Sequence, residues 1–127
     1  MVDIERVGEI LDELAEELPY EFYKDLSGGI LLMPEAKQSP HGADLWIMGE
    51  YSVSQSGRMI KIYYGSFERM YSWMDEDRLR EELREVLYHE FTHHIESLAG
   101  ERELEKKDEQ QLREYYATRA RKCGTMD

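Results

Sequence analysis

The chain has 127 residues, 41% hydrophobic and 35% charged, a composition of one folded soluble domain rather than a disordered segment. Its formal net charge of -12 argues against a nucleic-acid or anionic-membrane partner, since either needs a basic surface. Cys123 is the only cysteine, which excludes an intrachain disulfide and points to a reducing, cytoplasmic setting.

The first residues lack the basic and apolar regions of a signal peptide, and no apolar run approaches membrane-spanning length. The expectation is a cytoplasmic protein whose residues 1–127 form a single domain. Ile4, Val7, Leu11, Leu14 and Leu18 recur at three- and four-residue steps and predict an amphipathic first helix, ended by Pro19. Residues 20–26 add a short helical turn before Ser27-Gly28-Gly29. Residues 30–33 predict a short buried strand closed by Pro34, and residues 35–44 a loop containing Pro40, His41 and Gly42. Two strand-like runs, 45–51 and 58–64, flank a hairpin connection. Ser66 is placed to cap a short helix through Trp73.

A long helix follows. Asp75, Glu76 and Asp77 supply its cap and acidic first turn, and Gly100 its predicted stop. Within it Leu79, Leu83, Val86, Leu87, Phe91, Ile95 and Leu98 form one apolar stripe. Asp108 is then placed to cap a last helix through about residue 122, packed through Leu112, Tyr115, Tyr116 and Arg119. The fold class expected is α+β: a small three-stranded sheet on the long helix, with helices at both ends. Residues 58–64 are the candidate edge strand for pairing with an extended peptide.

The chemistry lies in residues 89–93 of the long helix, His-Glu-Phe-Thr-His, which match HExxH. Residues four apart share a helix face, so His89 and His93 can reach one ion, and Glu90 sits beside them as a general base. Two imidazoles at that spacing suit one zinc, which recruits a third protein ligand. Such an ion acidifies its bound water and polarises a carbonyl, the requirements for peptide-bond hydrolysis. Histidines on a charged helix are ordinarily just solvated. Here, however, three of the chain's four lie within six residues, with the glutamate interposed. His94 projects into the apolar stripe and reads as a packed, hydrogen-bonded core histidine.

The run Val86-Leu87-Tyr88-His89-Glu90-Phe91-Thr92-His93-His94 resembles the small acidic zincin-like metallopeptidases that carry HExxHH. The resemblance extends loosely over nearly the whole chain: the leucine-rich first helix ending in Leu-Pro, the strand at 30–33, the strand at 58–64 and the helix leading into the motif. It implies a minimal, mini-gluzincin-like zincin fold. It also implies His89 and His93 as ligands of one Zn2+ and Glu90 as the catalytic base. Many such proteins continue as HExxHxxGxxD, whereas Glu96 and Ala99 occupy those last two spacings here.

A longer connection returning Asp108 makes that residue the first candidate for third ligand, with Glu101, Glu103, Glu105 and Glu114 open beside it. Asp108 before Glu-Gln-Gln-Leu is equally an ordinary helix cap. Tyr63, Tyr64, Tyr115, Tyr116 and His41 are candidate donors to an oxyanion, although packing is the commoner role of a tyrosine. The expected function is a zinc-dependent peptidase acting on peptide or protein substrates, through a metal-bound water activated by Glu90. The alternative is an inactive zinc-stabilised interaction or regulatory module.

Overall fold

Asp3 starts the first helix: its carboxylate accepts the Arg6 backbone N–H at 2.8 Å, satisfying a donor that the first turn leaves open. Helix α1 spans Ile4–Glu16, and a 3-10 turn follows at Tyr20–Tyr23. Then come strands β1 (Gly29–Met33), β2 (Lys37–Gln38), β3 (Trp46–Ile47), β4 (Gly49–Ser54) and β5 (Gly57–Tyr63), and helices α2 (Tyr64–Tyr71) and α3 (Glu76–Leu104). The computed structural model describes residues 1–104. The predicted helix from Asp108 lies outside the described residues.

The principal sheet has the order β1-β5-β4. β1 runs parallel to β5, Gly29 opposite Met59 and Met33 opposite Tyr63. β4 runs antiparallel to β5, Gly49 opposite Ile62 and Ser54 opposite Gly57. The sheet is therefore mixed, and β5 is its central strand. This corrects the expectation that residues 58–64 form the edge: strand neighbours are set by non-local pairing, which one strand's own pattern does not record. β4 is the edge strand next to α3. Gln55 and Ser56 form the β4–β5 turn, after which Gly57 takes φ +120°, and a Cβ there would fall 2.0 Å from Ser27 Oγ. Only glycine fits.

The run at 45–51 divides at Met48. Trp46–Ile47 pairs with Lys37–Gln38, so a two-stranded ribbon occupies part of the expected loop. Met48 O accepts the Tyr63 N–H at 2.9 Å and keeps the chain beside β5 between the two strands.

The predicted apolar faces meet in one core. Val7, Ile10, Leu11 and Leu14 of α1 pack with Ile60 and Ile62 of β5 and with Leu79, Leu83, Leu87 and Phe91 of α3. Each such side chain contributes about 1.5–3 kcal/mol by leaving water. Arg6 binds Glu76 through two hydrogen bonds of 3.0 Å and ties the start of α1 to the start of α3.

Two helix boundaries differ from expectation. α2 begins at Tyr64, so Ser66 is no cap; it is fully buried in the first turn, where its Oγ accepts the Lys37 N–H at 3.0 Å. α3 continues through Gly100 to Leu104. A glycine costs a helix only about 1 kcal/mol. Here Arg58 donates to Ser97 and to Glu101, on either side of Gly100, and holds that turn helical. Tertiary contact overrides the local stop signal.

Candidate metal centre

α3 begins on the Asp75 cap, whose Oδ1 accepts the Arg78 N–H at 2.9 Å. From there four buried side chains, Leu79, Leu83, Leu87 and Phe91, fix its rotation against the core. That rotation leaves His89 and His93 half-buried on one flank and carries Glu90 inward to 2% exposure. The helix thus sorts the motif by burial.

The two imidazoles converge. Their Nε2 atoms are 3.2 Å apart, with ring centres 4.7 Å apart and planes at 86°. Two nitrogens each about 2.0–2.1 Å from a tetrahedral ion are separated by about 3.3 Å. The pair therefore fits two corners of a zinc site, and without an ion the same atoms can share one proton. Glu90 is one residue round from His89, against the sheet. A Cβ on Gly49 would lie 3.3 Å from both Cγ and Oε2 of Glu90, and 2.7 Å from Val86 Cγ1. The missing side chain of Gly49 is what lets β4 reach the motif helix.

A cleft of about 440 Å³ opens at this junction, lined by Trp46, Ile47, Met48, Gly49, Glu85, Val86, His89 and Glu90. Its volume is in the range of small-ligand and side-chain pockets. One wall is the approach to edge strand β4 and the other is α3.

His94 faces the opposite way and is fully buried. Its Nε2 lies 2.7 Å from Lys24 O, and a carbonyl can only accept, so Nε2 carries the proton. Its Nδ1 then accepts from the Tyr51 hydroxyl at 2.8 Å, and Tyr51 in turn accepts from Arg58 at 2.9 Å. Burial pushes the His94 pKa down, outweighing the bond to Lys24, and keeps the ring neutral. The chain Arg58–Tyr51–His94–Lys24 ties β5, β4, α3 and the turn after Tyr23 together directly behind the motif.

The other candidates separate. Tyr63 donates to Glu50 at 3.0 Å and Tyr64 donates to Val2 O at 2.7 Å, so neither hydroxyl is available to an oxyanion. His41 is exposed in the loop before β3. Glu101 is an exposed residue paired with Arg58. Among the described residues no group of three His, Cys, Asp or Glu side chains is placed to hold a metal. Asp108, Glu105, Glu114, Tyr115, Tyr116 and the side chain of Glu103 lie outside the described residues. Sequence reasoning missed Gly49 and Trp46 as parts of the site. Gly49 opens a strand-like run, where a glycine signals close approach of another element, but nothing in the pattern names that element. Among the described residues no helix is long and apolar enough to cross a membrane.

The family model described as zincin-like metallopeptidase matches residues 41–114, a span that includes the cleft walls and the HExxH helix. Among solved structures, a conserved hypothetical protein from T. thermophilus is 35% identical, with a TM-score of 0.68. The match covers 78% of this chain and 99% of that one. No protein of curated function matches.

Proposed function

Since the chain belongs to the zincin-like metallopeptidase family, we propose that it is a zinc-dependent peptidase whose centre is His89, Glu90 and His93. The observation that carries this reading is the 3.2 Å convergence of the two Nε2 atoms beside a carboxylate that the fold has buried. A glutamate between two converging histidines serves no purpose in a purely structural zinc site, whereas hydrolysis needs a base there.

His89 and His93 would hold the ion, with the third ligand supplied by the acidic segment after Gly100, Asp108 first. When bound, zinc supplies Lewis acidity that acidifies water and polarises a scissile carbonyl. The Glu90 carboxylate takes the proton of the attacking water and delivers it to the departing amide nitrogen. The half-dry junction with β4 strengthens its interactions relative to bulk solvent. Edge strand β4 pairs only with β5 among the described residues, so its outer backbone can receive an extended peptide and lead it to the cleft. The acidic surface makes a nucleic acid or an anionic membrane an unsuitable partner.

Zinc per chain by native mass spectrometry tests the site, and cleavage of a proteome-derived peptide library tests the activity. One zinc in the wild type, lost in His93→Ala and weakened in Asp108→Ala, is expected. Glu90→Gln should keep the zinc and lose at least about a hundredfold in turnover. Full zinc binding with no Glu90-dependent cleavage would overturn the peptidase and leave a zinc-stabilised interaction module.

A further inference from the structure

We infer that the cleft beside His89 and Glu90 is a pocket for a lysine or arginine side chain of the peptide, with Glu85 selecting the cation. The inference rests on the peptidase reading and names its substrate class.

The walls of the cleft are of two kinds. Trp46, Ile47, Met48 and Val86 offer apolar surface, which suits the aliphatic stem of a long side chain. Glu85 is the exposed charge at its rim, one helical turn before His89. Its helical neighbour Glu82 adds negative potential. The nearby arginines of α3 are turned elsewhere: Arg84 binds Glu81 and Glu17, and Arg80 binds Glu13. Glu85 itself makes no hydrogen bond or ion pair with any described residue. Apolar cleft surface with the Glu85 carboxylate among its lining residues is complementary to a cation on a hydrocarbon stem. An acidic side chain entering there would meet Glu85 and Glu90 together.

One cation already lies at the Trp46 wall, so the stem of an incoming side chain is left to Ile47, Met48 and Val86 and its charge to Glu85. The Arg69 guanidinium lies 5.0 Å from the centre of the Trp46 ring, within cation–π range, and Arg69 does not itself line the cleft. The net charge of -12 also raises the encounter rate of basic peptides.

The test measures binding and cleavage separately. Labelled alanine-based peptides carry lysine, norleucine or glutamate, walked one position at a time across the sequence. Affinity is read by fluorescence anisotropy on the zinc-loaded Glu90→Gln protein, and cleavage on the wild type. At its best position lysine should bind about three- to tenfold tighter than norleucine, the range of a partly exposed ion pair. Adding Glu85→Gln should erase that advantage, and Glu85→Lys should transfer it to glutamate. Lysine and norleucine binding equally at every position, a preference unchanged in Glu85→Lys, or no measurable binding of any peptide overturns the pocket. Lysine-selective binding without cleavage by the wild type supports the pocket and removes the peptidase reading, so the two failures are distinguishable.

Discussion

Gly49 and Glu90 occupy one contact between edge strand and motif helix: a Cβ on Gly49 would stand 3.3 Å from the Glu90 Oε2 and 2.7 Å from Val86 Cγ1. The second distance is shorter than side chains tolerate, and Val86 is branched at Cβ and stiff, so it cannot simply turn away. Gly49→Ala must therefore push β4 off α3. Overpacking of this kind costs about 1–3 kcal/mol, measurable as a lower urea midpoint. The contact involves Val86 and Glu90 and neither histidine, so zinc stoichiometry should stay at the wild-type value. Turnover should fall tenfold or more, because the displaced group is the base. Unchanged kinetics in a destabilised Gly49→Ala protein would show that the strand–helix contact is structural alone.

Tyr51 offers a cleaner deletion. Tyr51→Phe removes one oxygen and leaves the His94 Nδ1 buried without its donor, while Arg58 loses an acceptor. An unsatisfied buried acceptor costs about 1–3 kcal/mol. Replacing both partners, as in Tyr51→Phe with His94→Leu, should cost less than the sum of the two single changes, since neither polar group is then stranded. Equilibrium unfolding of the four proteins of this cycle checks it. Strict additivity would mean that the hydrogen bond has no energetic consequence.

The contrast between α3 and the sheet separates what a linear pattern records from what it does not. Leu79, Leu83, Leu87 and Phe91 recur with the helical period, and each proves to be buried, because a helix's own geometry decides which residues share a face. The N-cap Asp75 is legible for the same local reason. The His89–His93 spacing is legible too, since i and i+4 are neighbours on any helix. Strand order is not. Residues 58–64 look like an edge or a centre equally well, and only pairing with both Gly29–Met33 and Gly49–Ser54 decides it. Gly100 misleads because a local stop signal carries no record of Arg58 reaching across from β5 to Ser97 and Glu101. The third ligand has no spacing rule in a segment where acids recur every few residues.

Glu50 makes stability depend on acid. Burial would raise its pKa, but hydrogen bonds from Lys37 and Tyr63, with the Lys37 charge, outweigh that and hold it below the ordinary glutamate value. A carboxyl depressed in the folded state binds protons more readily when unfolded. Its contribution is therefore complete above the unfolded pKa and is lost as pH falls through the folded one. The wild type should lose stability below about pH 4.5, the ordinary glutamate value. Glu50→Gln should lose less over the same interval. Urea midpoints from pH 6 to about pH 3 measure the difference. Parallel curves for the two proteins would count against the Lys37–Glu50–Tyr63 cluster as a source of the acid sensitivity.

Zinc should raise thermal stability through His89 and His93 and not through Glu90. An ion that binds only the folded chain adds about 2.7 kcal/mol when free metal is a hundredfold above Kd. In a domain of this size each kcal/mol moves Tm by roughly 3–6 °C, so chelation should lower Tm by on the order of 10 °C. His93→Ala removes one of the two nitrogens that converge at 3.2 Å and should make Tm indifferent to chelator. Glu90→Gln keeps both nitrogens and should retain the full response, since its carboxylate projects against Gly49 of the sheet. Differential scanning calorimetry with and without chelator separates the roles. A Glu90→Gln protein that lost the response would make Glu90 a ligand, and the base would then have to be sought elsewhere along the cleft.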